Sequence, residues 1–100
     1  MKTVTICGSM RFENEMKRIA FILETKHSMS VLQCVYNEEK VELSNQEIEF
    51  LNKAHYRKIE LADAIYVVDM NGYIGKQVKK EIEFAKDCGK EIIYHSGFEV

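Results

Sequence analysis

Three stretches of the chain are apolar or β-branched at successive positions instead of alternate ones. They are Thr3 to Ile6, the run Ala-Ile-Tyr-Val-Val ending at Val68, and Ile92-Ile-Tyr94. A strand with one face in water alternates, whereas a strand covered on both faces need not, and that is the condition of a parallel sheet. Gly8 ends the first run. Beyond it Phe12, Met16, Ile19, Ala20 and Leu23 recur at helical spacing, so strand passes to helix through Cys7-Gly8-Ser9-Met10-Arg11. Outward N–H groups in such a turn, with the positive end of a helix dipole, suit a phosphate or carboxylate, and Arg11 offers a fork-shaped partner. The competing reading is a plain strand-to-helix turn.

The rest of the chain keeps the alternation. A helix over residues 11–27 leads into a second strand at 30–35. The polar segment 36–43 has no clear period and reads as a loop or lid. Ser44 with Glu47 three residues on is a capping box that starts a second helix, whose stripe is Ile48, Leu51, His55, Ile59 and Ala62. A third strand spans 64–69, and the loop 69–75 at its carboxyl end offers Asp69, Asn71 and Gly75 to a ligand. A third helix over 76–88 closes at the C′ glycine Gly89, and residues 91–94 form the last strand. Four strands joined by right-handed crossovers give an α/β, three-layer, flavodoxin-like or Rossmann-like fold. Its parallel sheet takes the order 2-1-3-4, with a ligand crevice between strands 1 and 3. One hundred residues, 46% of them hydrophobic, suffice for one such domain over 1–100.

Composition excludes several functions. A formal charge of −2 and a pI near 5.9 give no basic field for nucleic acid or an anionic membrane. No run of about 18 apolar residues and no basic leader with an apolar core occurs, so a cytoplasmic protein is expected. Cys7, Cys34 and Cys88 are odd in number and lack metal-ligand spacing, which fits small buried thiols better than disulfides or a metal site.

Two polar residues stand out on apolar stripes. In the third helix Val78, Ile82 and Ala85 mark the buried side, and at about 100° per residue Glu81 lies near its centre while Glu83 points away. An inward carboxylate beside a cleft is a nucleophile or general base, or else a flank residue paired with lysine. His55 sits amid the second helix's stripe. It is either a neutral core histidine bonded to backbone or a substrate contact and proton carrier. Lys76, Lys79 and Lys80 fall on the outer face with Glu83, as a salt-bridged surface.

Ile6-Cys-Gly-Ser-Met-Arg11, then Glu81-Ile-Glu-Phe-Ala85, then Gly89-Lys90 before a last strand, resembles the nucleoside 2-deoxyribosyltransferase superfamily, including its 2′-deoxynucleoside 5′-monophosphate N-glycosidases. The likeness spans nearly the whole chain, and the Ala62-Asp63 pair before the third strand also matches. It implies that the Cys-Gly-Ser turn lines a nucleotide site and that Glu81 is the nucleophile on the anomeric carbon, with no cofactor. Ligand contacts then come from Cys7, Gly8, Ser9, Met10, Arg11, Asp69, Asn71 and Gly75, with Glu81 and His55 catalytic. Where that family has an aspartate in the second helix, this chain has His55, and Phe12-Glu13 replace glycines that follow the first turn. The expected function is cleavage or transfer of the N-glycosidic bond of a nucleoside or its 5′-monophosphate. The alternative is a non-catalytic module that binds a nucleotide or an NAD-derived ligand.

A homodimer is also expected. The crossovers put one helix on one face of the sheet and two on the other, and no helical pattern follows the fourth strand. The exposed face then wants a cover. Phe21, Phe50 and Phe84 fall opposite the buried stripes of their helices as well, and a second copy of the chain is the simplest cover.

Overall fold

A computed structural model describes residues 1–98. The order of elements is β1 (Lys2–Gly8), a 3-10 turn (Met10–Phe12), α1 (Glu13–Lys26), β2 (Met29–Leu32), α2 (Asn45–Leu61), β3 (Ala64–Val68), a second 3-10 turn (Met70–Gly72), α3 (Lys76–Asp87), β4 (Glu91–Tyr94) and a third 3-10 turn (His95–Gly97). All strand pairs are parallel and the sheet runs β2-β1-β3-β4. Thr5 lies opposite Leu32 on one side and Ile65 on the other, so β1 and β3 are the central strands.

Successive side chains of those two strands point to opposite faces, and both faces are filled. Val4, Ile6, Ala64, Tyr66 and Val68 pack against Met16, Ile19, Ala20 and Leu23 of α1. Cys7, Ile65 and Val67 pack against Ile59 of α2 and Val78, Ile82 and Ala85 of α3. The uninterrupted apolar runs of β1 and β3 follow from this double cover. Thr5 is fully buried, and its hydroxyl donates to the Lys58 carbonyl at 2.8 Å. The Asp63 carboxylate accepts from Thr3 N–H at 2.8 Å, which sets the start of β3 beside β1.

The chain itself covers part of the α1 face. After β4 it turns back, Tyr66 Oη and His95 Nδ1 meet at 2.6 Å, and the Phe98 ring stands edge-on to Tyr66 and His27. Both Asp69 oxygens hold this turn, accepting from Ser96 N–H at 2.8 Å and Ser96 Oγ at 2.6 Å. The sequence argument assigned that cover to a second copy. Exposed apolar side chains lie elsewhere, with Ile48, Phe50, Leu51 and Leu61 on α2 and Phe21 on α1. Phe84 is not among them, because it packs edge-on against Tyr56 at 4.8 Å.

Element ends depart from the sequence reading in instructive ways. A 3-10 turn separates β1 from α1, so Gly8 to Arg11 do not sit on the end of that α-helix. The β2 strand spans Met29–Leu32 instead of 30–35, and its pairing ends at Thr5 although β1 continues to Gly8. Ser44 and Glu47 form the expected capping box. On α2, however, Ile48 and Leu51 are exposed, and Ile59 is the helix's only buried residue. Periodicity identifies an apolar face but not whether anything packs on it. Gly89 takes φ 72°, as a C′ glycine should.

Gly8 is required by space and not by its φ. A Cβ there would lie 3.0 Å from Met16 Sδ and 3.1 Å from Val68 Cβ. Gly8→Ala should therefore destabilise the fold by about 1–3 kcal/mol through overpacking at the sheet centre, read from urea unfolding. An unchanged midpoint would show that α1 can move away freely.

Candidate functional site

A cavity of about 400 Å³ opens at the carboxyl ends of the strands, on the face that α2 and α3 cover. Its floor is Ile6 and Gly8 from β1, its sides are α2 and the start of α3, and Cys34 and Val35 close it beyond β2. The volume lies within the usual range for small-molecule sites. Parallel strands bring it about, since every β-to-α turn falls at one edge.

Glu81 reaches this cavity from the second turn of α3 and is only 7% exposed. Its oxygens are held separately. Gln77 Nε2, one turn earlier, donates to Oε2 at 3.3 Å and also reaches Tyr56 Oη at 3.3 Å. His55 Nε2 lies 3.4 Å from Oε1 and, among the described residues, is the one basic nitrogen within reach of the carboxylate. A buried carboxylate in this setting has lost most of its water and keeps free lone pairs toward the cavity.

The same His55 Nε2 lies 3.4 Å from Cys7 Sγ, beneath the cavity floor. His55 Nδ1 is buried with no hydrogen-bond partner among the described residues, so the core histidine bonded to backbone expected as one alternative is not what the structure shows. Burial, and after it the negative charge of Glu81, holds the Cys7 thiol well above its ordinary range. A group shifted that way is a neutral thiol at physiological pH and not an activated nucleophile.

The other expected site residues divide into two groups. Gly8, Ser9, Met10, Gly75, His55 and Glu81 line the cavity, with Cys7 directly behind it. Arg11, Asp69 and Asn71 do not line it. The Arg11 guanidinium lies over the Tyr73 ring, 3.9 Å from its centroid, and Tyr73 in turn forms part of the wall. Asp69 spends its carboxylate on Ser96. Asn71 adopts φ 55° in the 3-10 turn, a backbone role that asparagine tolerates.

Several wall residues were not among the expected ligand contacts. Leu51, Asn52, Ala54 and Lys58 come from α2, and Tyr73, Lys76 and Gln77 from the approach to α3. Gln77 was readable as the i,i+4 partner of Glu81. Lys76 lies at the rim, and no carboxylate among the described residues pairs with it, Lys79 or Lys80. The expected salt-bridged surface is instead solvated and unpaired. At the start of α3, Gly75 provides no side-chain cap, and Gly75, Lys76 and Gln77 all line the cavity, so the uncapped start of that helix lies beside it.

No protein-family model and no curated protein matches the chain. Among solved structures it is similar to the Clostridium botulinum CMP N-glycosidase BcmB, with a TM-score of 0.58 and 22% identity, over 93% of this chain and 70% of that one. The likeness is one of fold. No helix among the described residues is long and apolar enough to cross a membrane.

The thiols offer a direct check on the electrostatics. Cys88 is exposed, whereas Cys7 is buried and its burial, with the Glu81 charge, holds the thiol well above its ordinary range. At about pH 8 iodoacetamide should modify Cys88 and spare Cys7 in the folded protein. Alkylation of both at similar rates, located by peptide mass, would contradict the enclosed neutral thiol.

Proposed function

We propose that the chain binds a nucleoside 5′-monophosphate or nucleoside in this cavity and cleaves or transfers its N-glycosidic bond, with Glu81 as nucleophile. The observation that carries this reading is a buried carboxylate positioned by Gln77 and His55 on the wall of a cavity of nucleotide size. The similarity in fold to a CMP N-glycosidase supports it.

The chemistry follows from that placement. A Glu81 oxygen attacks the anomeric carbon, the C–N bond breaks, and its electron pair leaves with the base, which takes a proton from solvent or a cavity side chain. The glycosyl ester is then opened by water, giving hydrolysis, or by a second base, giving transfer, and Glu81 is regenerated. Two displacements through oxocarbenium-like transition states replace one that is harder. The phosphate belongs at the start of α3, where Lys76 and the free N–H groups lie five residues, or about 7.5 Å, before Glu81. That spacing is comparable to the reach of a pentose 5-phosphate. Relative to the sequence reading, the anion position moves from the first turn to this helix start.

A second reading retains the cavity without catalysis. Because Glu81 is already engaged by two side chains, it serves equally as a hydrogen-bond acceptor for a retained ligand in a sensor or sequestering protein. The homodimer expected from the sequence now rests on the exposed apolar side chains of α2, of which Leu51 is also a cavity residue.

Incubation with CMP, its 2′-deoxy analogue, other monophosphates, the parent nucleosides and NAD, with chromatography for free base, separates the two readings. Base release should fall by about a thousandfold or more in Glu81→Gln and be unchanged in Glu83→Gln. Lys76→Ala should weaken monophosphates and leave nucleosides alone. Full turnover by Glu81→Gln would reject the nucleophile, and tight binding with no base release from any ligand would favour the sensor.

A further inference from the structure

Cys7, His55 and Glu81 come from β1, α2 and α3, and their donor atoms lie within 4.8 Å of one another. Their arrangement is not that of a relay. In a thiol-imidazole-carboxylate relay the two partners take different ring nitrogens, one each. Here Cys7 Sγ and Glu81 Oε1 both approach Nε2, each at 3.4 Å, while Nδ1 has no partner. A single ring nitrogen carries one proton or one lone pair and cannot serve both neighbours.

A cation placed between the three atoms satisfies all of them. A tetrahedral zinc ion with Zn–S about 2.3 Å, Zn–N about 2.05 Å and Zn–O about 2.1 Å sets S···N and S···O at about 3.6 Å and N···O at about 3.4 Å. The observed S···N and N···O separations are both 3.4 Å, close to that spacing, and all three donor atoms lie within 4.8 Å of one another, so the sulfur and the carboxylate oxygen need only draw together on the ion. One sulfur, one imidazole nitrogen and one carboxylate oxygen favour zinc-class ions over magnesium or calcium, which prefer all-oxygen sites. Three protein ligands leave a fourth position open, and the cavity lies on that side.

We propose that Cys7, His55 and Glu81 form a binding site for Zn²⁺ or a similar divalent transition metal, and that its occupancy switches off the Glu81 chemistry. Binding releases the Cys7 thiol proton to solvent and takes the Glu81 lone pair that would attack the sugar. It also ties α2, which buries only Ile59, to the sheet and to α3. The inhibitory half rests on the proposed function, while the site itself does not. Spacing along the sequence hides such a site, because its ligands are 48 and 26 residues apart in the chain.

The test uses the full chain with Cys34→Ser and Cys88→Ser, so that Cys7 is the one thiol present. Titration with Co²⁺ should produce a thiolate-to-cobalt charge-transfer band and the intense visible bands of four-coordinate cobalt, both displaced by Zn²⁺, and Zn²⁺ should raise the melting temperature. Cys7→Ser should abolish the charge-transfer band. His55→Gln and Glu81→Gln should keep the fold by circular dichroism and weaken binding by at least about a hundredfold, since outer-shell changes alone cost roughly 10–100-fold. A weak six-coordinate spectrum, or affinity unchanged in His55→Gln, overturns the site. With the site present, Zn²⁺ should suppress base release and a chelator restore it, whereas base release unaffected or accelerated by Zn²⁺ overturns the inhibition. A cobalt spectrum with no base release from metal-free protein rejects the enzymatic reading and leaves the metal site standing.

Discussion

A sheet whose strands all run one way has to be covered on both faces, and most of this molecule follows from that. Double cover explains why β1 and β3 are apolar without alternation, and why α1 lies on one side with α2 and α3 on the other. It also explains why the chain folds its own end back over Tyr66. Because the strands are parallel, every carboxyl end falls at a single edge. The cavity lies at that edge, where three segments distant in sequence meet without any of them leaving its layer.

Within that frame α3 does two things at once. Val78, Ile82 and Ala85 anchor it to Ile65, Val67 and Cys7, and Glu81 shares their side of the helix. A carboxylate buried in this way is costly unless polar partners compensate; Gln77 supplies a hydrogen bond and the His55 ring lies 3.4 Å away, without closing the approach from the cavity. The His55 ring is the shared element. It touches both the carboxylate and the Cys7 thiol, so any substrate, proton or metal that reaches one is felt by the other.

Much of this was legible in the residues. Glu81 was placed inward by its angle to Val78 and Ile82, the capping box at Ser44 by its spacing, the C′ turn at Gly89 by residue type, and the sheet order by the run of alternating elements. These are local signals. What was not legible depends on tertiary distance. Asp69 looked like a strand-end ligand, but Ser96 takes it. Arg11 looked like an anion partner, but Tyr73 stacks beneath it. The meeting of Cys7 with His55 is invisible to spacing rules, as is the exposure of Ile48 and Leu51 on α2. The first turn's distance from the α1 dipole was missed because a 3-10 turn intervenes and the helix starts two residues later, at Glu13 instead of 11, a shift that periodicity does not resolve.

The central claim is that the Glu81 carboxylate is the group that bonds to the sugar. Acid-quenched mass spectrometry during turnover of a monophosphate tests it most directly. The account predicts a transient mass increase of one pentose 5-phosphate, mapped to the peptide bearing Glu81 and absent from Glu81→Gln. Steady base release with no adduct on that peptide, or an adduct on another residue, would contradict it.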